Sequence, residues 1–485
     1  MGAFSAISDP TDLDAVRAAI ADAERPEVLV PLDLRALVIA PGAAAEAPGR
    51  VRSLLGPSAP ERPRVALLID HTRIRSGEDD LKADVRARLA EDFDVTETVL
   101  GTPGHLHVDE EALDAATAAV AGRDAVVSVG SGTISDIAKV ASARAGGVPL
   151  VIVQTAASVD GFTDNVSVVL RAGAKRTIDS RWPDVVLADT TVIATAPTAL
   201  NAAGFGELQS LFTAPADWWL ASRIGTDTTF HSTPRDLLLE FAGDPSEWGA
   251  GLGEGAPRPV EQLTRVLAIR GIGTGISGST ACLSGVEHLV SHMLDMYAVA
   301  RGYEVGLHGA QVGVASVVAA SAWDHLFAQA RSGRAVEPPV DDDAEARVRD
   351  AFAVCDPSGA LGAECWRDYS AKLRAWADAD GEPLDLLADP DVLERGLGAM
   401  RPDSATIARS LAVAGAPLTR DDLGAWITAD IWRWAAANCL YMRNRVTVID
   451  LLAAAGWWTD ADVDAVLGRA DAAVRAARAA AGVTV

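Results

Sequence analysis

From residue 63 onward the apolar positions fall into short runs separated by longer amphipathic stretches. "RVALLID", "DVTETVL", "DAVVSVG", "PLVIVQT" and "DVVLADTTVIA" read as five strands. Apolar runs this short suit strands covered on both faces, as in a parallel sheet. Between them, "EDDLKADVRARLAEDF", "DEEALDAATAAVAGR" and "TISDIAKVASARAG" read as helices. Strand alternating with helix predicts a doubly wound α/β layer. After about residue 197 the strand-like runs stop. "PTALNAAGFGELQSLFTAPADWWLASRI" and most of the chain from there to the C-terminus read as helical. The expected plan is an N-terminal extension (1–62), a Rossmann-like α/β parallel-sheet domain (63–200) and an all-α C-terminal domain (201–485). Within the last, insertions are expected near 227–262 and 331–430. The extension carries one helical stretch, "PTDLDAVRAAIADA", and linkers rich in Pro, Gly and Ala.

Composition narrows the partners. A chain of 485 residues is long for one core. A net charge of −25 disfavours nucleic acid and anionic membrane, which would repel it, but leaves room for a small anion in a local basic pocket. The four cysteines form no CxxC pair, as expected in a reducing cytosol. "MGAFSAISDP" lacks the basic and apolar regions of a signal peptide, and no apolar stretch reaches membrane-spanning length uninterrupted. A cytoplasmic protein without stable membrane insertion is expected.

Three stretches carry candidate chemistry. "VVSVGSGTISDIAK" (126–139) runs strand, turn, helix. Gly130 and Gly132 would let an anion approach the backbone, and Ser131 and Thr133 sit where the helix points free N–H groups. It is neither the dinucleotide fingerprint nor a Walker loop, and an ordinary strand-to-helix turn reads equally well. In "QTAASVDGFTDN" (154–165), Thr155 and Ser158 offer hydroxyls at a strand end, where open α/β sheets bind ligands. The competing reading is a capped helix start. In "LSGVEHLVSH", His288 and His292 are four apart and share a helix face, with His308 sixteen residues on. Two imidazoles and a carboxylate would suit a catalytic divalent ion, and Glu207 in "AAGFGELQS" is a candidate carboxylate. The competing readings are hydrogen-bonded core histidines and a first-turn glutamate facing a helix dipole.

The ordered series GSGTxxDxxK, TAASxDG, PxxVxADT, AGxGE, SGxEHxxSH, HGxxVG resembles the sn-glycerol-1-phosphate dehydrogenases. These belong to the iron-containing alcohol dehydrogenase and dehydroquinate synthase-like superfamily. The resemblance covers roughly 63–225 and 270–320, and returns weakly at 443–456. It implies a metal-dependent, NAD- or NADP-linked dehydrogenase that interconverts a ketone like dihydroxyacetone phosphate and a secondary alcohol. It also implies a homo-oligomer acting on a polyol or ketose, phosphorylated in this family. By position, Gly130, Ser131, Gly132, Thr133 and Ile134, with Asp136, would border the cofactor pyrophosphate. Thr155 and Ser158 would lie near the nicotinamide, with Asp164 also near the cofactor. Asp160 would hold substrate hydroxyls. Glu207, His288 and His308 would ligate a divalent metal, zinc ahead of iron or nickel. His292 would face the substrate and relay a proton. Asp70, closing the first core strand, would bond the adenosine ribose and so favour NAD over NADP.

The chain departs from the family at several of these places. Glu207 and Asp164 stand where the family has aspartate and serine. Thr280–Leu283 replaces a run containing Arg-Pro, and Ala310 replaces a glutamate. Arg443 and Arg445 are alternative phosphate partners. Glutamate at 207 also fits the dehydroquinate synthase branch, so an NAD-using cyclase or lyase is the alternative enzyme. A non-catalytic nucleotide-binding homologue is the alternative outside catalysis.

Overall fold

The computed structural model describes Phe4, Ile7 and residues 9–481, apart from 105, 172–173, 340–342 and 380–382. The first residues of "MGAFSAISDP" and part of the expected 331–430 insertion therefore lie outside the described residues. The chain divides into two compact units: residues 1–204 with 236–278, and residues 205–235 with 279–485.

The first unit is built on a six-stranded sheet. Its strands are β1 (Ala36–Ala40), β2 (Arg64–Asp70), β3 (Asp94–Leu100), β4 (Ala125–Gly130), β5 (Leu150–Gln154) and β6 (Val185–Asp189). The order is β1-β6-β5-β4-β2-β3, and every neighbouring pair is parallel. Val65, Leu67, Val127, Val151 and Leu187 are fully buried, as the short apolar runs require. From β2 the path turns one way to β3; from β4 it runs the other way through β5 to β6. The reversal falls between β2 and β4, whose carboxyl ends carry Asp70 and Gly130. Ligands of open α/β sheets bind at such a point.

Three features depart from the sequence reading. The edge strand β1 comes from within 1–62, where "ALVIA" is hidden among Ala- and Pro-rich linkers. An antiparallel ribbon, Val166–Arg171 with Ala174–Asp179, has no counterpart among the expected elements. Helix Pro257–Ser277 falls within the expected helical domain but clusters with the sheet. Its glycines explain why: a Cβ on Gly275 would stand 2.2 Å from the Trp182 ring, and one on Gly271 2.2 Å from Thr163 Oγ1. Only glycine lets that helix approach so closely.

The second unit is helical. Helices Val286–Arg301 and His308–Arg331 pack together, and Ser404–Ala414 and Asp460–Ala481 lie against the second of them. Trp218, Trp323 and Trp457 are in its core. Among the described residues no helix is long and apolar enough to cross a membrane. All four cysteines are buried free thiols.

Candidate metal centre and nucleotide loop

The helical unit brings Glu207, His288 and His308 together. Glu207 lies in the last turn of helix Thr198–Leu208, not a first turn. A carboxylate there meets the negative end of the helix dipole, and this one is only 2% exposed. It therefore needs a cation. Gly206, one residue earlier, is pressed against the start of helix His308–Arg331. A Cβ on Gly206 would stand 2.2 Å from the Gly309 carbonyl oxygen, and one on Gly313 2.7 Å from Gly206 Cα. Glycines at this crossing let the two backbones touch, which sets Glu207 beside His308.

His288 enters from the first turn of helix Val286–Arg301. That helix start is tied down by carboxylates: Asp217 accepts from Val286 N–H at 3.1 Å, and Glu287 folds back onto Gly285 N–H at 2.5 Å. Glu287 also accepts from the Thr213 hydroxyl at 2.8 Å. His288 Nδ1 donates to Glu287 at 2.9 Å, and its Nε2 faces Glu207 at 3.1 Å. His308 Nε2 faces the other Glu207 oxygen at 3.7 Å. Ser291 donates its single hydroxyl proton to Gln311 Oε1 at 2.7 Å, so toward His308 Nδ1, at 2.9 Å, it accepts. Both imidazoles are thus held with Nδ1–H outward and Nε2 directed at Glu207. Such outer partners fix the tautomer of metal-ligating histidines.

The ligand atoms of Glu207, His288 and His308 all lie within 4.8 Å of one another. One carboxylate and two imidazoles suit a borderline divalent ion such as zinc or iron and leave coordination positions open. Burial alone would depress the His288 imidazolium, but Glu207 and Glu287 outweigh it and hold its pKa above the ordinary value. The same two carboxylates favour positive charge at this ring, the charge that a bound divalent ion would supply. His292 follows one turn later, its ring centre 6.3 Å from that of His288 and 5.5 Å from that of His308.

The sheet unit holds the nucleotide candidates. Gly130 closes β4, and helix Gly132–Arg144 begins two residues on with Ser131 at its N-cap position. No described side chain caps its first turn. The glycines have a packing reason as well. A Cβ on Gly130 would meet Ile134 at 2.8 Å, and one on Gly132 would meet Val159 at 2.6 Å. The close fit at Gly132 draws the 154–165 run against the glycine turn. Thr155 N–H donates to the Gly130 carbonyl at 3.1 Å, and Thr155 and Ser158 are buried.

The candidate carboxylates here all have basic partners. Asp70 accepts from the Thr72 hydroxyl at 2.8 Å and pairs with buried Lys82. Asp160 pairs with buried Arg270. Fully buried Lys139 bonds Asp164, stands 3.1 Å from Asp136, and donates to the Gly161 carbonyl at 2.6 Å. Asp136 in turn accepts from Val168 N–H at 3.2 Å, which holds the antiparallel ribbon. Burial would lower the Lys139 pKa, but Asp164 and Asp136 keep it raised. Burial pushes Asp164 up to about 8 against the pull of Lys139, with Asp160 and Asp136 adding repulsion.

Several residues of these sites are not singled out by the sequence. Glu287 and Ser291 lie inside the histidine motif, Gln311 three residues past His308, and Lys139 closes the GSGTxxDxxK motif. Arg270 gives no signal. Asp295 does: it stands three residues past His292 on the same helix face, and it converges with His292 and His308. Arg445, a phosphate candidate, donates to the Ser284 carbonyl and to the Thr280 hydroxyl at 2.8 Å. It braces the turn ahead of the histidine helix. Arg443 sits at φ 109°, a left-handed backbone uncommon outside glycine.

Residues 38–197 match the family model described as iron-containing alcohol dehydrogenase. The chain is 33% identical over 210 residues to a glycerol-1-phosphate dehydrogenase of Geobacillus thermodenitrificans, spanning 42% of this chain and 50% of that protein. It is 36% identical over 197 residues to one of Thermococcus sibiricus, spanning 41% and 55%. The chain thus spans about half the length of the curated relatives it matches. The solved glycerol dehydrogenase of Schizosaccharomyces pombe superposes with a TM-score of 0.56 at 14% identity, covering 93% of this chain and 92% of that one. A probable glycerol dehydrogenase of Sinorhizobium meliloti 1021 gives 0.55 at 16%, covering 92% and 98%. At these identities the likeness is one of fold. The resemblance carried by the motifs therefore holds: residues 38–197 of this chain are similar to the iron-containing alcohol dehydrogenase family and to the glycerol-1-phosphate dehydrogenases.

Proposed function

We propose that the protein is a metal-dependent, NAD(P)-linked dehydrogenase that interconverts a ketone and a secondary alcohol on a small polyol or ketose. The observation that carries this is the convergence of Glu207, His288 and His308 in the helical unit. When bound, a divalent ion supplies Lewis-acid polarisation of the carbonyl oxygen, and a reduced nicotinamide supplies the hydride. Glu207, His288 and His308 hold the ion, zinc ahead of iron or nickel. Glu287 and Ser291 orient the two rings. His292 moves the proton to and from the substrate oxygen, since imidazole titrates in the useful range.

In the sheet unit the N–H groups from Ser131 to Ile134 receive the pyrophosphate at the helix start. Thr155 and Ser158 contact the nicotinamide end. Asp70 takes the ribose hydroxyls, which favours NAD, although Lys82 beside it blunts the repulsion of a 2′-phosphate. Asp160, paired with Arg270, accepts substrate hydroxyls. Asp136 and Asp164 act through Lys139, setting the helix behind the glycine turn. The substrate resembles dihydroxyacetone phosphate, by kinship with the glycerol-1-phosphate dehydrogenases, and the setting is a cytoplasmic homo-oligomer.

Glu207 favours a second reading, an NAD-using cyclase or lyase of the dehydroquinate synthase type. Zinc-loaded full-length protein separates them by NADH and NADPH absorbance with dihydroxyacetone phosphate, dihydroxyacetone and glycerol 1-phosphate. Stoichiometric turnover abolished by chelator is expected of the dehydrogenase. Tightly held NAD with no net NADH change would select the cyclase. Absence of turnover and of bound nucleotide would leave a non-catalytic homologue.

A further inference from the structure

Helix Val286–Arg301 places three donors on one face: His288, His292 and Asp295, at spacings of four and three. The first joins Glu207 and His308. The other two form a second convergent set with the same His308, all ligand atoms within 4.8 Å of one another. Asp295 is 2% exposed, on a helix whose apolar residues fill the core around it. We propose that His292, Asp295 and His308 form a second station for the divalent ion, beside the Glu207–His288–His308 station and pivoting on His308. The inference rests on the reading that this unit binds a divalent ion.

Ring spacing supports it. Two imidazoles on one tetrahedral ion stand about 5 Å apart, centre to centre. His308 lies 5.2 Å from His288 and 5.5 Å from His292, whereas those two are 6.3 Å apart. His308 is thus at sharing distance from either neighbour. Its Nδ1 is engaged by Ser291, whose own proton goes to Gln311. That leaves Nε2, and one nitrogen lone pair binds one ion. The stations therefore compete for a single ion instead of holding two. They match in kind, each with two imidazoles and one carboxylate, so neither is excluded by donor chemistry. The stations differ in what they do to His292. With the ion at the Glu207 side, His292 is not a ligand and can move a proton. With the ion at the Asp295 side, His292 is a ligand and cannot. The second station is a resting place that holds the ion while the proton relay is off.

Cobalt(II) titration of the full chain, followed by visible absorption and metal content, tests this. Wild type is expected to bind about one Co2+ per chain with a tetrahedral spectrum. The E207A/H288A variant, stripped of the first station, is expected to keep one Co2+ with affinity reduced by no more than about 100-fold. E207A/H288A/D295A should bind none. If E207A/H288A melts like wild type but binds no Co2+, the second station is overturned while the first stands. If wild type binds none, both fall. Should the double variant not fold, E207Q and E207Q/D295N replace it. Retention in the former and loss in the latter support the second station; retention in both, or loss in both, overturns it.

Discussion

Buried carboxylates in the two units meet different fates. In the sheet unit Asp164 is 5% exposed and in the helical unit Glu207 is 2% exposed, so burial does not distinguish them. Their partners do. Asp136, Asp160 and Asp164 share Lys139 and Arg270, cations fixed to the chain. Glu207 faces His288 and His308, whose charge depends on a proton. The helical unit carries more acid close by. Glu287 and Asp217 lie behind His288, and Asp217 is pushed up to about 8 by burial and by Glu287. A buried acid with a lysine partner is a structural pair; a buried acid among imidazoles is an open demand for a cation. Residue type alone cannot tell these apart.

The largest effect is expected at Lys139. K139A strands buried Asp164 and half-buried Asp136 and is expected to cost about 3–5 kcal/mol, measured by urea unfolding of the full chain. Unchanged stability would show that these acids need no fixed cation. G206A comes next. Its Cβ meets the Gly309 carbonyl, so a loss of about 1–3 kcal/mol is expected, with metal affinity falling too as Glu207 moves off His308. Equal stability with intact metal binding would remove the glycine crossing from the description of the site.

A third test uses pH. Asp217 has an ordinary value of 3.8 and a folded value of about 8, so its protonated form is the one the fold prefers. Its contribution is fully present below the ordinary value and is lost as pH rises through the folded value. D217N does not titrate. The stability of wild type relative to D217N should therefore fall between about pH 4 and about pH 8, read from thermal melts. A constant difference would mean that Asp217 is already charged throughout. The smallest effect is expected of S291A, which frees the His308 tautomer. Metal affinity should drop about 10-fold with little change in melting temperature. No change in affinity would show that Ser291 does not orient the ring.

Much of this is legible in the sequence, and the limits have physical causes. β2, β4, β5 and β6 announce themselves because buried parallel strands leave unbroken apolar runs. β1 does not, since five residues of "ALVIA" beside linkers look like more of the same composition. The ribbon at 166–179 packs through one face and pairs its backbone locally, so its pattern is weak. Glu207, His288 and His308 can be named because helical spacing and an ordered motif series point to them. Their supporting cast cannot: Gln311 is one polar residue in a long helix, and Arg270 finds Asp160 across a stretch of chain that no local pattern bridges. Glycine is legible as a residue but not as a reason. Gly130 and Gly132 read as room for an anion, and the structure adds that Ile134 and Val159 occupy the space a side chain would need.

The most direct measurement is metal content after loading with zinc and exhaustive desalting, for wild type and H308A, both checked for folding by circular dichroism. His308 belongs to both donor sets, so wild type should retain about one ion per chain and H308A none. A folded wild type that holds no ion, or an H308A that keeps its full complement, would contradict the metal centre on which the proposed chemistry depends.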